Sequence, residues 1–161
     1  HAVTLKEIAI RSGIKRSSLY KFFPSNMAIL YALSEKHLNK LLKIVNANTA
    51  DVNFKNSMEF TMLIIDLLTI YLNEHKGSAI MFLSNDLPTK LEINLHSNTL
   101  FSSEMLNKIN QKISNVDNER VDNNFSIIFA LLSQGYQKEG TISPRVVNET
   151  KKASLAYLSA Y

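Results

Sequence analysis

Residues 4–30 read TLKEIAIRSGIKRSSLYKFFPSNMAIL and carry the strongest structural signal in the chain. Glu7 follows Thr4 by three residues, which is the capping-box pattern that begins a helix. Gly13 suits the left-handed backbone conformation that ends a helix. A Pro-Ser pair at residues 24 and 25 then begins a long helix. The stretch therefore predicts two short helices that meet at Gly13, followed by a long one.

The two short helices are predicted to have an apolar inner face and a basic outer face. The inner face is expected to comprise Leu5, Ile8, Ala9, Ile14, Leu19, Phe22 and Phe23, with Ile14 filling the turn. The outer face is expected to comprise Lys15, Arg16, Ser17, Ser18, Tyr20 and Lys21. This is the hydrophobic skeleton of a helix-turn-helix. Basic side chains pair with phosphates and reach guanine edges, and hydroxyl groups donate to phosphate oxygens, so the outer face suits DNA. An ordinary helical hairpin with a polar face is the alternative.

The residues of this stretch resemble the DNA-binding signature of the tetracycline-repressor (TetR) family of bacterial regulators. The matching features are the Thr-x-x-x-Ile-Ala opening (Thr4, Ile8, Ala9), the turn (Ser12, Gly13, Ile14), the Leu-Tyr-x-x-Phe helix (Leu19, Tyr20, Phe23) and the Pro-Ser start (Pro24, Ser25). The resemblance covers residues 4–30, and the rest agrees in helical character and length alone. It implies an all-α protein with a helix-turn-helix DNA-binding domain at residues 1–46. A larger helical bundle for ligand binding and dimerisation would occupy residues 47–161.

The sequence departs from the family pattern in two places. A lysine that contacts a backbone phosphate commonly follows the Pro-Ser pair, whereas this chain has the uncharged Asn26. The family also has a helix ahead of the one that Thr4 begins, so we expect the native protein to be longer. The predicted DNA-contacting residues are Thr4, Lys15, Arg16, Ser17, Ser18, Tyr20, Lys21 and Asn26.

The positive charge of the chain is concentrated at its beginning. The net charge is +4, but the first 47 residues balance to +6 and the remainder to −2. This asymmetry favours a polyanion as the partner of the first third, although a basic surface facing solvent is the simpler interpretation. The absence of cysteine excludes disulfides, cysteine-ligated zinc and thiol catalysis, and it fits a cytoplasmic protein. No apolar run is long enough to span a membrane, so no membrane association is expected.

Hydrophobic periodicity predicts helices through the rest of the chain. We expect them at residues 26–45, 54–73, 77–84, 88–113 with a break near NLHSNT, 121–138 and 144–161. The second of these is apolar on most sides and should lie centrally. Asp66 is expected on its solvent-facing side, and His96 is expected in a loop.

Methionine and phenylalanine in these helices are candidates for an apolar ligand pocket, because both suit irregular cavities. The candidates are Met58, Met62, Ile65, Met81, Phe82, Phe101, Met105, Phe125 and Phe129. For each residue alone, ordinary core packing is the simpler interpretation. The family resemblance implies a small, largely apolar effector of unknown identity.

The last two helices show a second apolar edge. The resemblance implies that they pair with their copies in a homodimer, and helix-turn-helix dimers read two half-sites of an operator. The candidate interface residues are Ile127, Leu131, Gly135, Tyr157 and Tyr161.

These observations predict a dimeric, DNA-binding transcriptional regulator, most simply a repressor released from double-stranded operator DNA by its effector. A regulator of the same fold controlled by a protein partner is the alternative. No Ser/His/Asp arrangement, phosphate-binding glycine loop or paired acids are present, which argues against an enzyme. No cofactor is implied, and His1, His37, His75 and His96 lack metal-binding spacing.

Overall fold

The computed structural model describes residues 4–84 and 88–160, with the backbone alone at residues 88–91. Within these ranges the chain is all-helical, as predicted. The helices are α1 (Leu5–Ser12), α2 (Arg16–Phe22), α3 (Asn26–Thr49), α4 (Ser57–Glu74), α5 (Lys76–Leu83), α6 (Pro88–Lys112), α7 (Asn118–Glu139) and α8 (Pro144–Ser159). Among the described residues, no helix combines the length and apolar character that crossing a membrane requires.

Side-chain caps fix where several helices begin. The Thr4 hydroxyl accepts from the backbone N–H of Glu7, whose carboxylate in turn accepts from the backbone N–H of Thr4, so the predicted capping box is confirmed. Ser143 caps α8 ahead of Pro144, also as predicted. At the other end of α1, Gly13 takes a left-handed conformation with φ of 68°. These signals are local, which is why the sequence displays them.

α3 has one buried face and is longer than predicted. Leu38, Leu41 and Val45 are buried, while the lysines and Asn39 on the opposite side are exposed. The helix continues to Thr49, four residues past its predicted end at Val45. The Thr49 hydroxyl donates to the Val45 carbonyl at 2.8 Å and is buried. A threonine satisfied in this way stays helical despite its polarity.

α6 is continuous, so the predicted break near NLHSNT is wrong. His96 accordingly lies on a helix and packs edge-on against Tyr31 of α3 at 5.2 Å, which corrects its expected loop position. The polar side chains of this segment find partners within the fold. Asn94 donates to the Phe82 carbonyl at 2.7 Å, and Ser97 donates to the Ile93 carbonyl at 2.8 Å. Polar residues with such partners need no loop.

Two separate apolar clusters stabilise the described part of the chain. The small cluster combines Leu5 and Ala9 of α1 with Leu19 of α2. The large cluster contains residues of all six helices from α3 to α8. Most sides of α4 are buried, which agrees with the prediction that this helix lies centrally. α3 reaches both clusters, because Ile29 packs on the small one and Leu41 lies in the large one.

α4 and α7 both pack against α8. An ion pair joins α8 to α4, and a glycine lets α7 approach α8 closely. Lys151 of α8 pairs with Asp66 of α4 at 2.5 Å. The Asp66 side chain keeps 44% of its surface exposed, so it faces solvent in part, as expected, while its carboxylate pairs with α8. Gly135 of α7 is buried against Val146 of α8, and a Cβ atom added there would lie 2.5 Å from a Val146 methyl group.

Candidate functional site

The α1–α2 segment is held by the small apolar cluster and by the turn between the two helices. Leu5, Ala9 and Leu19 are each at most 6% exposed. At the turn, the Gly13 N–H donates to the Ile10 carbonyl and the Ile14 N–H donates to the Ala9 carbonyl. The inner residues of α1 and α2 therefore fix the orientation of the outer face of α2.

Two residues predicted on the inner face are exposed instead. Phe22 is 72% exposed and Ile14 is 47% exposed. α2 ends at Phe22, and Phe23 follows it in an extended conformation with φ of −128°, so the two rings point in different directions. Phe23 packs against that cluster and Phe22 faces solvent. Ile14 does not fill the turn, because its side chain lies at the surface beside Ile10.

The predicted DNA-contacting side chains of α2 and its start lie mostly in solvent. Lys15, Arg16, Ser17 and Lys21 are exposed, and Tyr20 is 39% exposed. Ser18, predicted on the same face, is half-buried.

Arg16 and Tyr20 are paired along one side of α2. The guanidinium carbon of Arg16 lies 5.2 Å from the centre of the Tyr20 ring, and an Arg16 nitrogen donates to the Tyr20 hydroxyl at 3.4 Å. A guanidinium stacked on a ring is held outward with most of its donors free for an anion. The contact with Tyr20 therefore holds the Arg16 side chain in place on the outer face of α2 without a bound partner.

The remaining two predicted contacts lie at helix starts. The Thr4 hydroxyl donates to the Glu7 carboxylate at 2.9 Å and also accepts from the Glu7 N–H, so it serves the cap of α1. The backbone and hydroxyl hydrogen bonds from Thr4 lower the pKa of Glu7. Asn26 is exposed in the first turn of α3, directly after its cap Ser25.

The surface of α1 and α2 carries an excess of positive charge. Exposed basic residues outnumber exposed acidic ones there by five to one, and the acidic residue is Glu7. The basic residues are Lys6, Arg11, Lys15, Arg16 and Lys21. Solvated cations at this density attract polyanions through long-range, salt-sensitive forces.

Comparison of the chain with protein-family models, with curated proteins and with solved structures finds no match.

The structure does not gather the nine candidate pocket residues around one cavity. Ile65, Phe82, Phe101 and Met105 are fully buried, Met81 is 9% exposed, and Met58 and Met62 pack on the large cluster as partly buried residues. Phe125 and Phe129 instead line an open groove of about 260 Å³ between α6 and α7. The other seven residues do not line that groove.

The polar residues of this groove were not among the site residues predicted from the sequence. Asn94, Asn98 and Ser102 of α6 line it, and Asp122 and Ser126 of α7 face them. The sequence did contain a signal for them. The α6 residues and the α7 residues each recur at four-residue spacing, so each set lies on one face of its helix.

The candidate dimer residues divide between the surface and the interior. Ile127 and Leu131 are half-buried along one side of α7, and Tyr157 of α8 is half-buried. Gly135 contacts α8 of its own chain, so its position differs from the interface position expected for it. Tyr161 lies outside the described residues.

A cluster of His37, Tyr71 and His75 joins α3 to α4. The Tyr71 hydroxyl lies 2.7 Å from His37 Nδ1, and the Tyr71 ring stacks on His75 at 4.2 Å. Burial lowers the pKa of His37, and the charges of His75 and nearby lysines lower it further. Burial raises the pKa of Tyr71. In the described part of the chain, no group of three or more His, Asp or Glu side chains could hold a metal ion.

Proposed function

We propose that the protein is a DNA-binding transcriptional regulator that acts as a homodimer, in the manner of the TetR family that residues 4–30 resemble. One observation carries the proposal. A short α2, anchored through Leu19, presents Lys15, Arg16, Ser17 and Lys21 to solvent from a segment rich in positive charge. Those side chains supply the charge-assisted donors that phosphates and guanine edges accept.

The proposed mechanism couples the reading surface to the remaining helices through α3. This helix packs on the α1–α2 cluster through Ile29 and on the large cluster through Leu38, Leu41 and Val45. A ligand or partner that favours one packing of α3 would change the spacing of two α2 helices in a dimer. The regulator would be a repressor whose operator complex is released by its effector.

The kind of effector divides the proposal into two candidates. A small apolar ligand follows from the family resemblance. The burial of Ile65, Phe82, Phe101 and Met105 in the large cluster favours the second candidate, a regulator of the same fold controlled by a protein partner. Side chains this deeply packed leave no room for a ligand unless the core rearranges.

The proposal is tested by titrating the full-length protein against fluorescent duplex DNA from upstream of its own gene. Fluorescence anisotropy should report saturable binding whose affinity falls steeply as the salt concentration rises. Arg16→Ala should weaken binding about tenfold and reduce the salt slope by about one, because one phosphate or base contact is lost.

Lys152→Ala is the matched control, since Lys152 is an exposed basic residue of α8 remote in sequence from α2. It should leave both the affinity and the salt slope at the wild-type values. Equal losses in the two variants would mean that any surface charge suffices, and the α2 surface would then have no special role. Absence of binding to any upstream duplex at low salt would refute the proposal itself.

A further inference from the structure

The groove between α6 and α7, here the α6–α7 groove, has a floor of aromatic side chains and polar walls. Phe125 and Phe129, at most 5% exposed, form the floor. Leu95, 58% exposed, and the exposed Ala130 add apolar surface at its rim. At about 260 Å³ the groove is smaller than the usual range for drug-sized ligands and suits a compact molecule.

Four residues on the walls already use a hydrogen-bond donor within the chain. Ser102 donates to the Asp122 carboxylate, and Ser133 donates to the Leu83 carbonyl at 2.5 Å. Asn94 donates to the Phe82 carbonyl. Asn98 donates to the Asn94 side-chain oxygen at 2.8 Å. Hydroxyl groups that already donate can offer only their lone pairs to a ligand, so the walls chiefly present acceptors.

One of these acceptors is buried without a partner. The Asn98 side-chain oxygen is fully buried, and no hydrogen bond reaches it from the described residues. A buried acceptor left unsatisfied destabilises the fold, and a donor on a ligand would reach it only if the side chains that cover it moved.

The charge of the groove has one sign. Among the described residues that line it, Asp122 alone is charged. Ser102 occupies one carboxylate oxygen of Asp122, and within the described residues no basic side chain forms an ion pair with it. A single carboxylate among amide and hydroxyl oxygens is a poor ligand set for a divalent metal ion but a good partner for an ammonium group.

We propose that the α6–α7 groove binds a small organic cation, namely a primary amine that carries an aromatic or aliphatic body. The ammonium group donates to the Asp122 carboxylate, and the apolar body packs over Phe129 and Leu95. This inference concerns a site outside the buried apolar residues considered above, and it does not depend on DNA binding.

The test is an NMR titration of the full-length, ¹⁵N-labelled protein with phenethylamine, which is protonated at neutral pH. We expect saturable shifts of amide signals from residues that line the groove. The neutral analogue 2-phenylethanol has the same ring without the charge, and it should bind roughly tenfold more weakly because it loses the charge-assisted hydrogen bonds.

Two variants locate the site and one serves as a control. Asp122→Asn should weaken phenethylamine binding roughly tenfold, since the charge is lost and the shape is kept. Ala130→Trp should block binding while leaving the carboxylate intact, and it covers the case that Asp122→Asn unfolds the protein. Glu104→Gln removes an equally exposed acidic charge of α6 outside the groove and should bind phenethylamine as the wild type does.

The inference would be overturned by shifts confined to residues outside the groove, by equal binding of amine and alcohol, or by equal losses in Asp122→Asn and Glu104→Gln. Lack of any saturable shift would do the same. No DNA is present in this titration, so its failure leaves the DNA-binding proposal standing. A failure to bind DNA would likewise leave the amine site standing.

Discussion

Gly135 is a position where the packing of α7 on α8 leaves no room for a side chain. In Gly135→Ala the new Cβ would lie 2.5 and 2.6 Å from the two Val146 methyl groups. Val146 is buried and β-branched, so it cannot rotate away at low cost. We expect the free energy of unfolding to fall by about 1–3 kcal/mol, the usual cost of overpacking, as measured by urea denaturation.

Gly77→Ala is the control for this substitution, because the same added methyl group meets no atom within 4 Å. It should be neutral or stabilise α5 by up to about 1 kcal/mol, since alanine favours a helix over glycine. Adding Val146→Ala to Gly135→Ala should recover part of the loss. A Gly135→Ala protein as stable as the wild type would show that the helices separate without cost.

The phenylalanine pair at residues 22 and 23 marks the limit of prediction at the residue scale. The sequence shows that the end of α2 is apolar, but it does not show which ring fits beside Leu19. That choice depends on the tertiary position of α1 and α3, and the structure places Phe23 inside and Phe22 in solvent. The apolar pattern of a single helix does not predict tertiary contacts of this kind.

At the scale of elements, helix starts were predictable and helix continuity was less so. The capping box of α1 and the Ser143 cap of α8 lie within four residues of sequence, so the sequence reveals them directly. The continuity of α6 depends on Asn94, whose partner is a carbonyl of α5 twelve residues away. The groove that Asn98 shares with α7 was missed for the same reason, because its two walls come from different helices.

The contact between α3 and α4 should make stability depend on pH through His37. Burial and the charges of His75, Lys40 and Lys36 lower the pKa of His37 in the folded protein. The unfolded chain, with a pKa near 6.5, therefore takes up the proton first as the pH falls. Neutral His37 therefore contributes its full stabilisation above the unfolded pKa, and this contribution is lost as the pH falls toward the lower pKa of the folded protein. Urea denaturation between about pH 8 and pH 5 should show this loss, and His37→Asn should reduce it.

Tyr71→Phe separates titration from hydrogen bonding in this experiment. It removes the hydroxyl that lies 2.7 Å from His37 Nδ1 but keeps the ring that meets His37 edge-on and stacks on His75. It should lower stability at every pH and retain the pH-dependent loss. If His37→Asn and the wild type lost stability equally between the two pH values, another group would be responsible.

At the scale of the whole molecule, the sequence indicated the all-helical class and a concentration of charge at one end. It could not indicate how the interior is filled. Met105 and Phe101 were candidates for a pocket because their residue types suit cavities, yet both are fully buried in the large cluster. Residue type shows that a side chain is apolar, whereas the packing of six helices decides whether it meets a neighbour or a cavity.

The proposed function includes assembly into a homodimer, on which the proposed operator recognition depends. Ile127 and Leu131 are half-buried one turn apart on α7, and neither packs on the large cluster. A glutamate introduced between two such apolar edges would be buried without a partner, which typically costs several kcal/mol at an interface. Ile127→Glu should therefore shift the protein from dimer to monomer in sedimentation equilibrium and weaken operator binding, since one α2 reads half a site.

Asn107→Glu is the control for this substitution, because it adds the same charge at an exposed position of α6 and should remain dimeric. If Ile127→Glu sedimented and bound DNA as the wild type does, this edge of α7 would have no part in assembly.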